Sequence, residues 1–217
     1  CIPNGIDLNF FTPRSRHNAL REKYGWGDDF IVLYIGAHGL SQGLEVILNA
    51  ADKLRARKNI RFLFVGAGAR KIELMGQAAA QGLSNVQFLP AVPKADMPEY
   101  YAAADICVVP LLRRSVFLTN IPSKMFEIMA CARPMLLGVR GQALALLKEA
   151  EAGIAFPPED AAALAEGIAL LLDDPDRRRR LGEAGRRYAE AHFSRADRAA
   201  AYLDVFEKVL NKMPSAR

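Results

Sequence analysis

Short apolar runs alternate along this chain with longer stretches whose apolar residues recur every three or four positions. Ile31-Val32-Leu33-Tyr34-Ile35 reads as a buried strand stopped by Gly36. Beyond it Leu44, Ile47, Leu48, Ala51 and Leu54 share one face of a helix over 44–57. The alternation continues with strands over 60–65, 86–89, 106–109, 135–137 and 154–156, and with helices over 71–81, 96–104, 122–132 and 142–150. From Asp160 onward the pattern is helical only, over 161–172, 176–192 and 195–210. Short strands alternating with helices predict an α/β fold. It is a Rossmann-like, doubly wound parallel sheet of about six strands with C-terminal helices. Right-handed crossovers bring all strand carboxyl ends to one edge, where such sheets bind ligands. Chemistry is therefore expected in loops 36–43, 66–70, 90–95, 110–121 and 138–141.

Composition narrows the classes. With 51% hydrophobic residues in 217, the chain can bury one sizeable core. No apolar run reaches the ~18–20 residues of a membrane span. The chain opens Cys1-Ile2-Pro3-Asn4-Gly5 without an initiating Met, and is expected to be part of a longer protein. Cys1, Cys107 and Cys131 lack C-x-x-C spacing, and the last two sit in apolar runs, as buried reduced thiols do. His17, His38 and His192 are too widely spaced to suggest zinc ligands, so no metal is expected.

The net charge is +5, and much of the excess lies in Arg177, Arg178, Arg179, Arg180, Arg186, Arg187, Arg195 and Arg198. No nucleic-acid motif or interleaved aromatics accompany them, and no nucleic-acid partner is expected. A solvated helix face and a peripheral contact with an anionic membrane both remain open.

Four features carry candidate chemistry. Gly36-Ala37-His38-Gly39-Leu40-Ser41-Gln42-Gly43 joins a strand to a helix. Its glycines let backbone N–H groups approach an anion, and the helix amino terminus adds partial positive charge. An ordinary tight turn would look the same; Gly66-Ala67-Gly68 is a weaker signal of the same kind, and tight-turn packing is its first reading. In Pro122-Ser123-Lys124-Met125-Phe126-Glu127, Lys124 and Glu127 are three apart and share a helix face at the ligand edge. An ammonium there can neutralise phosphate, and a carboxylate can accept from two vicinal hydroxyls. On spacing alone a surface salt bridge is the alternative. Ile2-Pro3-Asn4-Gly5-Ile6-Asp7 is a turn that by itself says nothing of function.

Taken together, in this order, these segments resemble the C-terminal, donor-binding domain of GT4 glycosyltransferases, retaining enzymes of the GT-B fold. The resemblance extends through Phe62-Leu63-Phe64-Val65, Val86-Gln87-Phe88-Leu89-Pro90, Val109-Pro110 and Arg133-Pro134, from residue 1 to about Phe193. It implies an interdomain lead-in over 1–29, a nucleotide-sugar-binding domain over 30–193, and a last helix over 194–217. That helix's stripe of Tyr202, Val205, Phe206, Val209 and Leu210 is expected to pack on an amino-terminal domain outside this chain.

It further implies that Glu127 holds ribose hydroxyls, that Gly36, His38, Gly39 and Gly43 face a diphosphate with Lys124, and that Leu89 and Val92 meet the base. Two positions where the family has Arg and Lys are Ala37 and Gln42 here; Lys124, His38 or Arg113 would have to supply the charge. An expected acid near the donor sugar is Thr119, which with Ser123 and Arg113 completes the candidate phosphate and sugar contacts.

The implied reaction moves a sugar from a UDP-linked donor to a glycan or lipid-linked acceptor in surface-polysaccharide synthesis. No cofactor is needed, and no catalytic side chain is assigned. The His-Gly loop with Pro-Ser-Lys resembles the branch of amino-sugar transferases. The implied location is the cytoplasm, at the inner face of the membrane. A GT-B-fold sugar-nucleotide epimerase and a non-catalytic nucleotide-sugar-binding scaffold stand as alternatives.

Overall fold

The computed structural model describes residues 4–210, with only the backbone of Leu210, so Cys1, Ile2, Pro3 and the Leu210 side chain lie outside the described residues. Six parallel strands, β1 (Phe30–Ile35), β2 (Ile60–Val65), β3 (Val86–Leu89), β4 (Ile106–Pro110), β5 (Met135–Gly138) and β6 (Gly153–Ala155), lie in the order β3-β2-β1-β4-β5-β6. In register, Tyr34 sits beside Phe64 of β2, and Val32 beside Ile106 of β4. The order of winding reverses between β1 and β4, which makes that junction the switch point of the sheet.

The central strands are apolar throughout because both faces are covered. Successive side chains of β1 go to opposite faces. Ile31, Leu33 and Ile35 join the core that holds Tyr101, Met125, Phe126 and Leu147. Phe30, Val32 and Tyr34 join the core that holds Ile47, Leu74 and Ile168. The second face is covered by α2 (Glu45–Lys53), α3 (Lys71–Ala80) and α7 (Ala161–Asp173). On the first face lie α4 (Met97–Ala103), α5 (Lys124–Ala130), α6 (Gln142–Glu149) and α8 (Pro175–His192).

Helix ends follow local chemistry. Asp160 accepts from the Ala162 and Ala163 N–H groups at the start of α7. Asp174 caps α8, whose Pro175 needs no donor at that position. Helices this short are marginal alone, and burial holds them. Each fully buried Val, Leu or Ile, such as Ile47 or Leu48 of α2, contributes about 1.5–3 kcal/mol.

The stretch assigned above to the lead-in contributes Ile6, Phe11 and Trp26 to the first core. It carries a helix the periodicity did not predict, α1 (Ala19–Tyr24), capped by Asn18. Ile6 also bridges to the chain beyond α8: its N–H donates to the Phe193 carbonyl at 2.7 Å, and its carbonyl accepts from the Arg195 N–H at 2.9 Å. The last helix, α9 (Arg195–Leu210), leaves Leu203, Val205, Phe206 and Val209 exposed. No described helix is long and apolar enough to cross a membrane.

Candidate functional site

At the switch point α5 delivers its two candidate residues separately. Met125, Phe126, Ile128, Met129 and Ala130 are buried, which leaves Lys124 and Glu127 on the half-buried side facing the carboxyl edge. Among the described residues no ion pair joins them, so the salt-bridge alternative does not describe this helix. The Lys124 ammonium lies 4.1 Å from the centre of the Tyr34 ring. It also sits against Gly36: a Cβ there would lie 2.9 Å from Nζ, and φ of +136° already excludes most side chains. Burial pulls the Lys124 pKa down to about 8, against the opposing pull of Glu127. Glu127 is instead held by the Tyr101 hydroxyl, which donates to Oε2 at 2.7 Å. Its other oxygen has no partner among the described residues.

Loop 36–43 is braced from below. The Tyr34 hydroxyl donates to the Ala37 carbonyl at 2.6 Å. The His38 N–H donates to the Ala67 carbonyl at 2.8 Å, and a Cβ on Gly66 would collide with the Gly36 carbonyl oxygen. Gly66-Ala67-Gly68 thus acts as close packing for the first loop. Gly39 opens a 3-10 turn over Leu40–Gln42 without a side-chain cap, and α2 also starts without one. The Gln42, Val46 and Ile47 N–H groups are taken by the Gly39, Gly43 and Leu44 carbonyls, which leaves those of Leu40, Ser41 and Glu45 for an anion.

A cavity of about 200 Å³ opens here, lined by Gly36, Ala37, Gly66, Val92 and Met97 among others. Of the base-side pair, Val92 lines it and Leu89 does not. The Leu89 carbonyl takes the Lys71 ammonium at 2.5 Å, which also donates to the Gly66 carbonyl at 2.7 Å. Lys71 is a site-supporting residue that the sequence reading missed; its only signal is a cation just after a Gly-rich turn.

His38 is not the cation that the missing Arg and Lys call for. Its side chain is fully buried among Tyr34, Phe64 and Phe88. Burial, then the charges of Lys71 and Lys124, lower its pKa to about 4, with the Val65 backbone pulling weakly upward. It is neutral at pH 7, and neither ring nitrogen meets a partner in hydrogen-bond geometry. Arg113 does not reach this cavity either; it lines a different one, between the ends of β4 and β5. Thr119 and Ser123 are exposed and line neither. Of the cations expected from the sequence, Lys124 is the one placed at the loop.

A larger cavity, about 680 Å³, lies at the opposite, amino-terminal edge of the sheet. Its arginines are mostly engaged in holding structure. Arg16 pairs with Asp105 at 2.7 Å, and Arg186 donates to the Ala130 and Phe11 carbonyls at 2.7 and 2.9 Å. Arg178 donates to the Leu171 carbonyl at 2.6 Å. The late arginines are thus partly staples, rather than a uniformly solvated face. Size alone does not mark the ligand site.

Comparisons with known proteins give the family and the fold. A family model described as glycosyl transferases group 1 matches residues 17–188. A GDP-mannose-dependent monoacylated alpha-(1-6)-phosphatidylinositol monomannoside mannosyltransferase of Corynebacterium glutamicum is 31% identical over 199 residues, 89% of this chain and 52% of that protein. An O-antigen chain mannosyltransferase C of Escherichia coli is 28% identical over 190 residues, 85% of this chain and 48% of that protein. The chain thus spans about half the length of these relatives. Among solved structures, an Anabaena protein crystallised with UDP and glucose superposes with a TM-score of 0.84 at 20% identity, over 95% of this chain and 56% of that one.

Proposed function

The chain belongs to the glycosyl transferases of group 1, and on that premise we propose that it is the nucleotide-sugar-binding half of a retaining glycosyltransferase. One observation carries the reading. At the switch point Lys124 presses its charge against Gly36 of the Gly-rich loop, while Glu127, one turn on, keeps one carboxylate oxygen free. A diphosphate over loop 36–43 meets the ammonium and uncapped N–H groups. The ribose hydroxyls donate to Glu127, and the base enters the cavity beside Val92 and Met97.

In the transfer the bond between the anomeric carbon and the diphosphate oxygen breaks as the acceptor oxygen bonds on the same face. The acceptor proton passes to the departing diphosphate. Lys124 and the loop amides stabilise the charge that grows on that leaving group, which is the protein's main contribution. Fixed cations and amides can do this without a metal or cofactor.

The donor is proposed to be UDP-linked. A guanosine nucleotide is the second reading, favoured by the GDP-mannose-dependent relative. The acceptor is proposed to be a lipid-linked or surface-polysaccharide glycan, held mainly by a domain outside this chain, on the cytoplasmic side of the membrane.

A thermal-shift series tests the assignment. A ligand held at a hundredfold its Kd adds about 2.7 kcal/mol of stability. UDP or GDP is expected to raise Tm by several degrees, and the matching nucleoside by less. No shift with either diphosphate contradicts the assignment.

A further inference from the structure

A second cavity, of about 260 Å³, opens on the same carboxyl edge of the sheet, over the ends of β4 and β5. Residues 112–115, 117–118, 139–140 and Pro158 form its wall. It abuts the Gly-rich loop directly, since the Leu112 N–H donates to the Ser41 carbonyl at 2.9 Å. The wall is tightly built: Gly141 packs so closely on the turn over Ser115–Thr119 that a Cβ would strike the Leu118 carbonyl oxygen. The Arg113 N–H is tied to Glu159 Oε2 at 2.9 Å.

Three arginines line this small space, Arg113, Arg114 and Arg140. Other arginines pair with carboxylates or carbonyls, as Arg61 does with Asp29 and Arg57 with Asp173, or, like Arg177, Arg180 and Arg187, share their cavity with carboxylates. None of the three guanidinium groups here has a carboxylate or carbonyl partner among the described residues. No carboxylate lines the cavity. Guanidinium forks match carboxylate and phosphate oxygens in pairs. The nearby Glu159 carboxylate is bound to the Arg113 backbone N–H, which leaves the three guanidinium groups available to an anion.

We propose that this cavity receives an oxyanion carried by the substrate beyond the donor's diphosphate: a carboxylate on the transferred sugar or a phosphate on the acceptor. This rests on the nucleotide-sugar reading of the adjoining loop, and it names a substrate class that the reading leaves open.

Calorimetry on the 217-residue chain distinguishes the two sources. In the donor arm, UDP-glucuronate is compared with UDP-glucose, and GDP-mannuronate with GDP-mannose. In the acceptor arm, the chain saturated with UDP or GDP is titrated with inositol 1-phosphate and with inositol. One arm is expected to favour the anionic ligand by about tenfold or more, as charge-assisted hydrogen bonds do. That preference shrinks with added salt. Joint Arg114→Ala and Arg140→Ala substitution abolishes it while nucleoside diphosphate affinity stays within about twofold. These arginines are exposed, so the variant is expected to fold, and an unchanged Tm checks that. If the diphosphate binds and neither arm shows a preference, the inference alone is overturned. If neither diphosphate binds, the nucleotide reading falls and takes the inference with it.

Discussion

Lys124 packs against the loop that carries His38, and burial treats the two differently. Lys124 remains a cation at neutral pH, but its pKa of about 8 leaves it close to losing the proton. A diphosphate beside it favours the charged form. Binding is therefore expected to draw in protons near pH 8, and affinity is full below that value and falls as pH rises through it. Titrations in two buffers of different protonation enthalpy check this. Uptake vanishes in Lys124→Met, and its absence from wild type contradicts the contact. His38 has a folded pKa of about 4, below the ordinary value near 6.5. Its stability contribution is complete above about 6.5 and is lost as pH falls toward about 4, on the order of 3 kcal/mol. His38→Phe is expected to flatten urea stability over that window; an unchanged slope contradicts the assignment. The sequence could not show this. A histidine between glycines reads as a ligand contact, and only the alignment of Tyr34, Phe64 and Phe88 around it makes it a core residue.

At the scale of elements, β1, β4 and β5 were legible because a strand buried on both faces is an uninterrupted apolar run. The helix α1 was not. Ala-Leu-Arg-Glu-Lys-Tyr has no apolar period, and what holds it is Arg21, almost fully buried, donating to Asp105 at 3.0 Å and to the Ala103 carbonyl. Asp105 also accepts from Arg16 and from the Ile31 N–H at 2.8 Å. That partnership spans 84 positions, and no local window contains it. Burial lowers the Arg21 pKa and Asp105 opposes the shift, so removing the carboxylate strands a buried charge. Asp105→Asn is expected to cost about 3–5 kcal/mol in chemical denaturation, with nucleotide binding intact once folded. A loss under about 1 kcal/mol would show that water or a rearranged side chain compensates Arg21.

Over the whole molecule, the winding order β3-β2-β1-β4-β5-β6 makes a site of residues far apart in sequence. Gly36 ends β1, Lys124 follows β4, and these two strands are neighbours only because the winding reverses there. Alternating strands and helices made that edge legible, the glycines and the three-residue spacing marked Gly36, Lys124 and Glu127 there, and the family resemblance gave them their roles and added Val92. The division of the edge into two cavities was not legible, because it depends on how loop 110–121 folds against 36–43. The central claim is that Lys124 and Glu127 serve one nucleotide in different ways. Calorimetry of UDP, 2′,3′-dideoxy-UDP and uridine, with the guanosine series alongside, on wild type, Glu127→Gln and Lys124→Ala tests it most directly. Glu127→Gln is expected to cost about 1.5–3 kcal/mol for the diphosphate and nothing for the dideoxy ligand. Lys124→Ala is expected to weaken the diphosphate more than the nucleoside, most strongly at low salt. Equal diphosphate affinity across all three proteins would contradict the account.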